Sequence, residues 1–192
     1  GEHYRDRGRD EEAAALLMEA GEYEQAGDLY RKLEEFLRAG ECFEASGDHG
    51  TAAEMYRAAG DLTRAAVGYE GAGAWSEAAA CWGELGDHAR HAAALEPAGE
   101  RLAAGRIYQQ LGRDEDAVRV LQKIDAQHPD YRAASAMLGE FFRGKKMYAV
   151  AIKKLRQACE GQDLSPESAP LFYHLARCYE DNGDVKQAVD LY

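Results

Sequence analysis

Proline is scarce in this 192-residue chain, with 4 residues, and the cysteines number 4. Few prolines leave helices uninterrupted and rule out a collagen-like or polyproline chain. The cysteines (Cys42, Cys81, Cys159, Cys178) form no Cys-x-x-Cys pair, which points to free thiols in a reducing compartment. No apolar run approaches the ~18–20 residues of a membrane span, so no membrane insertion is expected. Neither a secretory signal nor a lipidation motif is present, and the expected location is cytoplasmic. Basic residues are outnumbered, 23 against 35, for a net charge of −12. That balance argues against a general phosphate-backbone binder, and no nucleic acid partner is expected. Hydrophobic types at 46% exclude a disordered chain.

Glycine is what the chain has in excess: 20 residues, against a usual ~7%. Most of it is periodic. Cut in thirteens from Ala13, the chain repeats ten times without insertion or deletion if the opening residues are included. Place one is Ala13, Ala26, Ala39, Ala52, Ala65, Ala78, Ala104 and Ala117, broken by His91. Place five is Tyr4, Leu17, Tyr30, Phe43, Tyr56, Tyr69, Trp82, Leu95, Tyr108 and Leu121. Place nine is Gly8, Gly21, Gly47, Gly60, Gly73, Gly86, Gly99 and Gly112, with Glu34 and Asp125 as exceptions.

Places one, four, five and eight are apolar or small, which draws one stripe along a helix. Glycine at place nine ends that helix in the left-handed conformation. Glu22, Asp48, Asp61, Asp87 and Asp184 are expected to cap the helix that follows. Each helix falls below the ~12–15 residues of marginal independent stability, so stacking on neighbours must hold the array together. Left-handed geometry is predicted at Gly21, Gly47, Gly60, Gly73, Gly86 and Gly112.

A second period lies in the polar places. Place six is Arg5, Arg31 and Arg57 in alternate blocks, and Glu44, Glu70 and Glu96 between them. Glu2, Asp28 and Glu54 precede those arginines by three residues, in ion-pair spacing. The unit is therefore 26 residues, two antiparallel helices with different solvent faces.

After Pro97 the spacing lengthens. Ala98 to Tyr131 carries Ala104, Gly105 and Tyr108, then Ala117, Leu121 and Pro129. The next unit carries Leu138, Gly139 and Phe142, then Ala151, Leu155 and Ala158. The last carries Phe172, Leu175, Ala176 and Tyr179, then Gly183, Ala188 and Tyr192. These residues resemble the 34-residue tetratricopeptide repeat (TPR). Arg101, Ser135 and Ala104 depart from its usual large residues. The first 97 residues resemble a compressed, TPR-like hairpin array.

The resemblance implies an all-α, right-handed solenoid of about fourteen short antiparallel helices. Its short hairpins span 1–97 and its three longer units span 98–131, 132–165 and a truncated 169–192, as one continuous array. The array begins and ends inside a repeat with no polar cap. That predicts a fragment of a longer repeat protein with some tendency to self-associate through its ends.

The search for chemistry is mostly negative. No phosphate loop, nucleophile elbow or His-Glu-x-x-His occurs. Cys42 and Cys81 occupy an apolar place and read as core. His88 and His91 with Asp87 meet one metal only if a helix has begun by His88, and a turn is expected there. No catalytic residue, metal or cofactor is expected.

Charge is uneven. Residues 1–131 carry −13, residues 132–160 carry +5, and residues 161–192 carry −4. The middle segment holds Arg143, Lys145, Lys146, Lys153, Lys154 and Arg156 with no acid between them, which reads as a solvated face or as a docking patch for an acidic partner.

The resemblance further implies a concave groove lined by first helices that receives a protein or peptide. Its groove places fall on Leu102, Arg106, Gln109 and Gln110, then on Glu140 and Arg143, then on Tyr173, His174 and Arg177. The same phase selects Arg31 and Arg57 in the short blocks. The lysine–asparagine set that clamps a terminal carboxylate in chaperone-binding members is absent. The expected function is an interaction scaffold or adaptor, with a regulatory or linker module of a larger enzyme or receptor as the alternative. Arginine outnumbering lysine 16 to 7 hints at a GC-rich bacterial source.

Overall fold

A computed structural model describes residues 2–191, with side chains from Gly8 onward. Gly1 and Tyr192, and the side chains of Glu2, Tyr4 and Arg5 with their expected ion pair, lie outside the described residues. Among the described residues there are thirteen helices and no strand. They fall into two compact units, Gly1–Glu100 and Arg101–Tyr192.

The first unit holds α1 (Glu2–Glu19), α2 (Tyr23–Lys32), α3 (Phe36–Ser46), α4 (His49–Ala58), α5 (Leu62–Gly71), α6 (Trp75–Glu84) and α7 (His88–Leu95). The second holds α8 (Arg101–Gln110), α9 (Asp114–Leu121), α10 (Tyr131–Gly144), α11 (Tyr148–Cys159), α12 (Ala169–Asn182) and α13 (Val185–Val189). One helix fewer than expected results from Gly8, which does not end a helix. The helix runs on through Gly8, and α1 extends over 18 residues.

The thirteen-residue places have physical uses. Ala26, Ala39, Ala65, Ala78 and Ala104 are fully buried. Tyr30, Phe43, Tyr56, Tyr69, Trp82, Leu95, Tyr108 and Leu121 at place five are buried too, as are Cys42 and Cys81. Place two decides how closely helices approach. A Cβ on Gly40 would stand 2.7 Å from the Tyr56 ring, and one on Gly27 would stand 3.0 Å from Phe43. Gly105 against Leu121 and Gly139 against Leu155 repeat the relation at the same sixteen-residue interval. Two glycines outside the period answer to histidines: Gly83 faces the His91 ring and Gly71 faces the His49 ring.

The turns are equally regular. The place-ten amide donates to the place-five carbonyl, as in Asp48 to Phe43 at 2.9 Å, Asp61 to Tyr56 at 2.9 Å and Asp87 to Trp82 at 3.1 Å. This closure needs a left-handed residue at place nine. The six glycines predicted for it have φ between 69 and 86°, and Gly99 and Gly183 join them. Glu34 and Lys146 take the same seat without being glycine, at φ 61 and 60°. Asp48, Asp61 and Asp87 accept from the amides of Thr51, Arg64 and Arg90, each at 3.0 Å. Glu22 and Asp184 do not cap their helices. Glutamate is one methylene longer, and Glu22 accepts from Gln25 Nε2 instead. Asp184 is occupied by Asn182 Nδ2 at 2.6 Å. His88 opens α7 rather than sitting in a turn.

Candidate partner-binding surface

The second unit brings five of the candidate residues together. The buried stripe of α10 is Ala134, Ser135, Leu138 and Gly139, which turns Glu140 outward and leaves Arg143 half-buried at the margin. The buried stripe of α12 is Leu175, Ala176, Cys178 and Tyr179, which leaves Tyr173 exposed and His174 and Arg177 half-buried. Two side-chain contacts join these helices. Glu140 meets His174 Nδ1, and Arg143 Nε donates to Asp181 Oδ2 at 2.8 Å. The Asp181 carboxylate also holds the Arg143 pKa above its ordinary value. Arg177 donates to Tyr173 Oη at 3.2 Å and lies 3.4 Å from Glu180. Tyr173 is 47% exposed and packs edge-on against His174. The result is an exposed aromatic side chain bordered by the polar groups of His174 and Arg177.

Of the α8 candidates, Arg106, Gln109 and Gln110 are exposed and Leu102 is half-buried. Gln109 shares a small cleft with Met137, Leu138 and Phe141 of α10. In the first unit, Arg31 pairs with Asp28 at 2.6 Å as its spacing predicts. Arg57 turns away from Glu54 to Glu84, 3.1 Å distant on α6.

A set of interactions not anticipated from the sequence alternates with the 26-residue period. Arg38, Arg64 and Arg90 lie over the rings of Tyr30, Tyr56 and Trp82, at 5.6, 4.7 and 4.6 Å from the centroids. Each is braced by the acid three residues before it: Glu35, Asp61 or Asp87. The far side of the aromatic donates to a place-six glutamate, Tyr56 to Glu44 at 2.5 Å and Trp82 to Glu70 at 2.7 Å. Burial and the Glu44 carboxylate together hold the Tyr56 phenol well above its ordinary pKa. The signal was present as arginine at place thirteen of alternate blocks, and it reports structure rather than a ligand.

Burial raises the thiols of Cys42, Cys81 and Cys178, the last to about 11, which keeps them protonated and unreactive. Among the described residues no helix is long and apolar enough to cross a membrane.

A paired-helix array with left-handed glycine stops defines an α-helical repeat protein. Residues 98–141 and 171–192 match family models described as tetratricopeptide repeat. Over these stretches the sequence carries tetratricopeptide repeats. No curated protein matches it in sequence. Solved structures that it is similar to include the TPR-like repeats of a kinesin light chain from Podosopora anserina, at 17% identity and TM-score 0.39, covering 95% of this chain and 90% of that one. BtubC (BKLC) from P. vanneervenii is similar at 20% identity and TM-score 0.39, covering 97% and 85%. The C-terminal part of a TPR repeat-containing protein from Cytophaga hutchinsonii is similar at 16% identity and TM-score 0.41, covering 94% and 78%. Likenesses at this level carry no inference about function.

Proposed function

We propose that this protein is a non-catalytic scaffold that binds a partner protein or peptide segment, on the surface that α8, α10 and α12 offer in its three longer units (98–131, 132–165 and 169–192). The observation that carries this reading is the frame on α10 and α12, where Tyr173 stands exposed among Glu140, His174, Arg143 and Arg177. An exposed aromatic with its polar neighbours already ordered loses little side-chain entropy on binding and suits the centre of an interface. Arg106 and Gln110 extend the surface along α8 with groups that can donate to a partner's carboxylates or carbonyls. Because Arg143 and Arg177 already meet acids of this chain, the segment bound here is of mixed polarity.

Photo-crosslinking tests this. A benzoylphenylalanine at position 173 captures the partner, and one at Lys123 does not. Tyr173→Ala, Arg106→Ala and Arg177→Ala each weaken binding of the captured partner. Capture at position 123 but not 173, or unchanged affinity in all three variants, refutes the reading.

A further inference from the structure

The cations of residues 132–160 are not equivalent. Arg143 has Asp181, and Lys145 has Asp114 at 3.2 Å. The helix α11 differs. Its buried stripe, Ala151, Leu155 and Ala158, packs inward and turns Val150, Lys153 and Arg156 to solvent. No acid occurs in α11, and among the described residues none pairs with Lys153 or Arg156.

These two side chains stand on the rim of a groove of about 940 Å³. Leu175 and Tyr179 of α12, Ile152 of α11 and Leu191 beyond α13 give it apolar walls. Gln157 lines it as well, and its Oε1 is buried without a hydrogen-bond partner. Glu160 and Asp190 are the acids of the lining.

We infer that this groove is a second docking surface, which takes an acidic amphipathic helix of a partner protein. Lys153 and Arg156 are one helical turn apart, the interval at which carboxylates recur along one face of a helix. The apolar side chains of the same helix cover Ile152, Leu175 and Leu191, the usual mode of a helix in a groove. Glu160 stands one turn beyond Arg156, so the complementary segment is acidic over two turns and neutral or basic in the next. None of the groove's side chains belongs to the Glu140–Arg143–Tyr173–His174–Arg177 set, so the two surfaces are separable by mutation.

The test is fluorescence anisotropy of the full chain with a labelled synthetic helix carrying a leucine stripe and glutamates on two successive turns. Peptides with glutamine or lysine in place of the glutamates are the controls. The glutamate peptide binds about tenfold or more tightly than the glutamine peptide, and added salt weakens it. Lys153→Glu combined with Arg156→Glu transfers the preference to the lysine peptide. The milder Lys153→Gln with Arg156→Gln abolishes the preference without reversing it. Tyr173→Ala changes nothing. Circular dichroism confirms that the variants keep their helices. Equal affinity for glutamate and glutamine peptides, no binding of the glutamate peptide up to about 1 mM, or indifference to both double variants overturns the inference. So does a concentration-dependent mass that the charge reversal abolishes, because the occupant is then a second copy of this chain.

Discussion

Gly40→Ala should change the sign of its effect with the residue opposite it. Gly40 lies inside α3, where alanine is favoured over glycine by about 0.5–1 kcal/mol on backbone entropy alone. Its Cβ, however, would stand 2.7 Å from both Cδ1 and Cε1 of Tyr56. That ring has nowhere to retreat. Tyr56 is 1% exposed, its hydroxyl is tied to Glu44, and the Arg64 guanidinium lies on its face. Forcing a methyl into such a contact costs about 1–3 kcal/mol, so the net effect is a loss, of up to about 2.5 kcal/mol. Tyr56→Val removes the ring at a cost of its own, about 3 kcal/mol. In that background the steric cost vanishes and only the backbone gain remains, so Gly40→Ala then stabilises by about 0.5–1 kcal/mol. Urea unfolding of the four proteins, followed by circular dichroism and tryptophan fluorescence, reads the cycle. Gly40→Ala that is neutral in the parent, or equally costly in both backgrounds, refutes the close-packing role of place two.

Three shorter predictions rest on other features. Glu34→Gly should stabilise by up to about 1 kcal/mol, because Glu34 holds φ 61° in a seat that glycine fills elsewhere; a loss of stability in urea contradicts this. Gly60→Ala, at φ 80° with nothing near its Cβ, should cost roughly 1 kcal/mol, whereas Gly8→Ala inside α1 should gain about as much; equal effects at the two sites sink the distinction. Burial, then the neighbouring His88, pull the His91 pKa below its ordinary value, against an opposing pull from Glu100. The unfolded chain then binds that proton more readily, so the contribution is complete above the ordinary histidine pKa and shrinks as pH falls through it. His91→Ala should flatten the thermal stability profile between about pH 7 and 5, and an unchanged slope rejects the assignment.

The period was legible because each of its places does one physical job. Alanine at place one and the large side chain at place five are both core. Glycine at place nine marks a backbone conformation that ordinary residues avoid, so it prints itself on the sequence. Gly8 misleads because composition cannot say whether a glycine stops a helix or merely sits in one, and capping residues do not separate the cases, since Gly73 and Gly112 stop helices ahead of Ala74 and Arg113. Glu34 and Lys146 show the converse, since the turn closure is strong enough to hold an L-residue at positive φ. Asp184 fails as a cap through a neighbour, Asn182, that a per-place tally ignores.

The candidate surface was legible only in part, and the reason lies in partner choice between helices. Helical phase leaves Glu140 and Tyr173 exposed and Arg143 and Arg177 half-buried on α10 and α12, because that depends on local geometry alone. Whether an outward arginine is left for a ligand depends on what the next helix presents. Arg143 is claimed by Asp181, 38 residues away, and Arg57 by Glu84, 27 residues away. Neither pairing follows from i, i+3 spacing. The same dependence separates Arg156 from Arg143: both are outward-turned arginines in an acid-poor stretch, but only one has a carboxylate opposite. Recognition capacity in a stacked helical array therefore sits where the alternation of charges between neighbouring helices fails, and in the second unit that failure falls on α11.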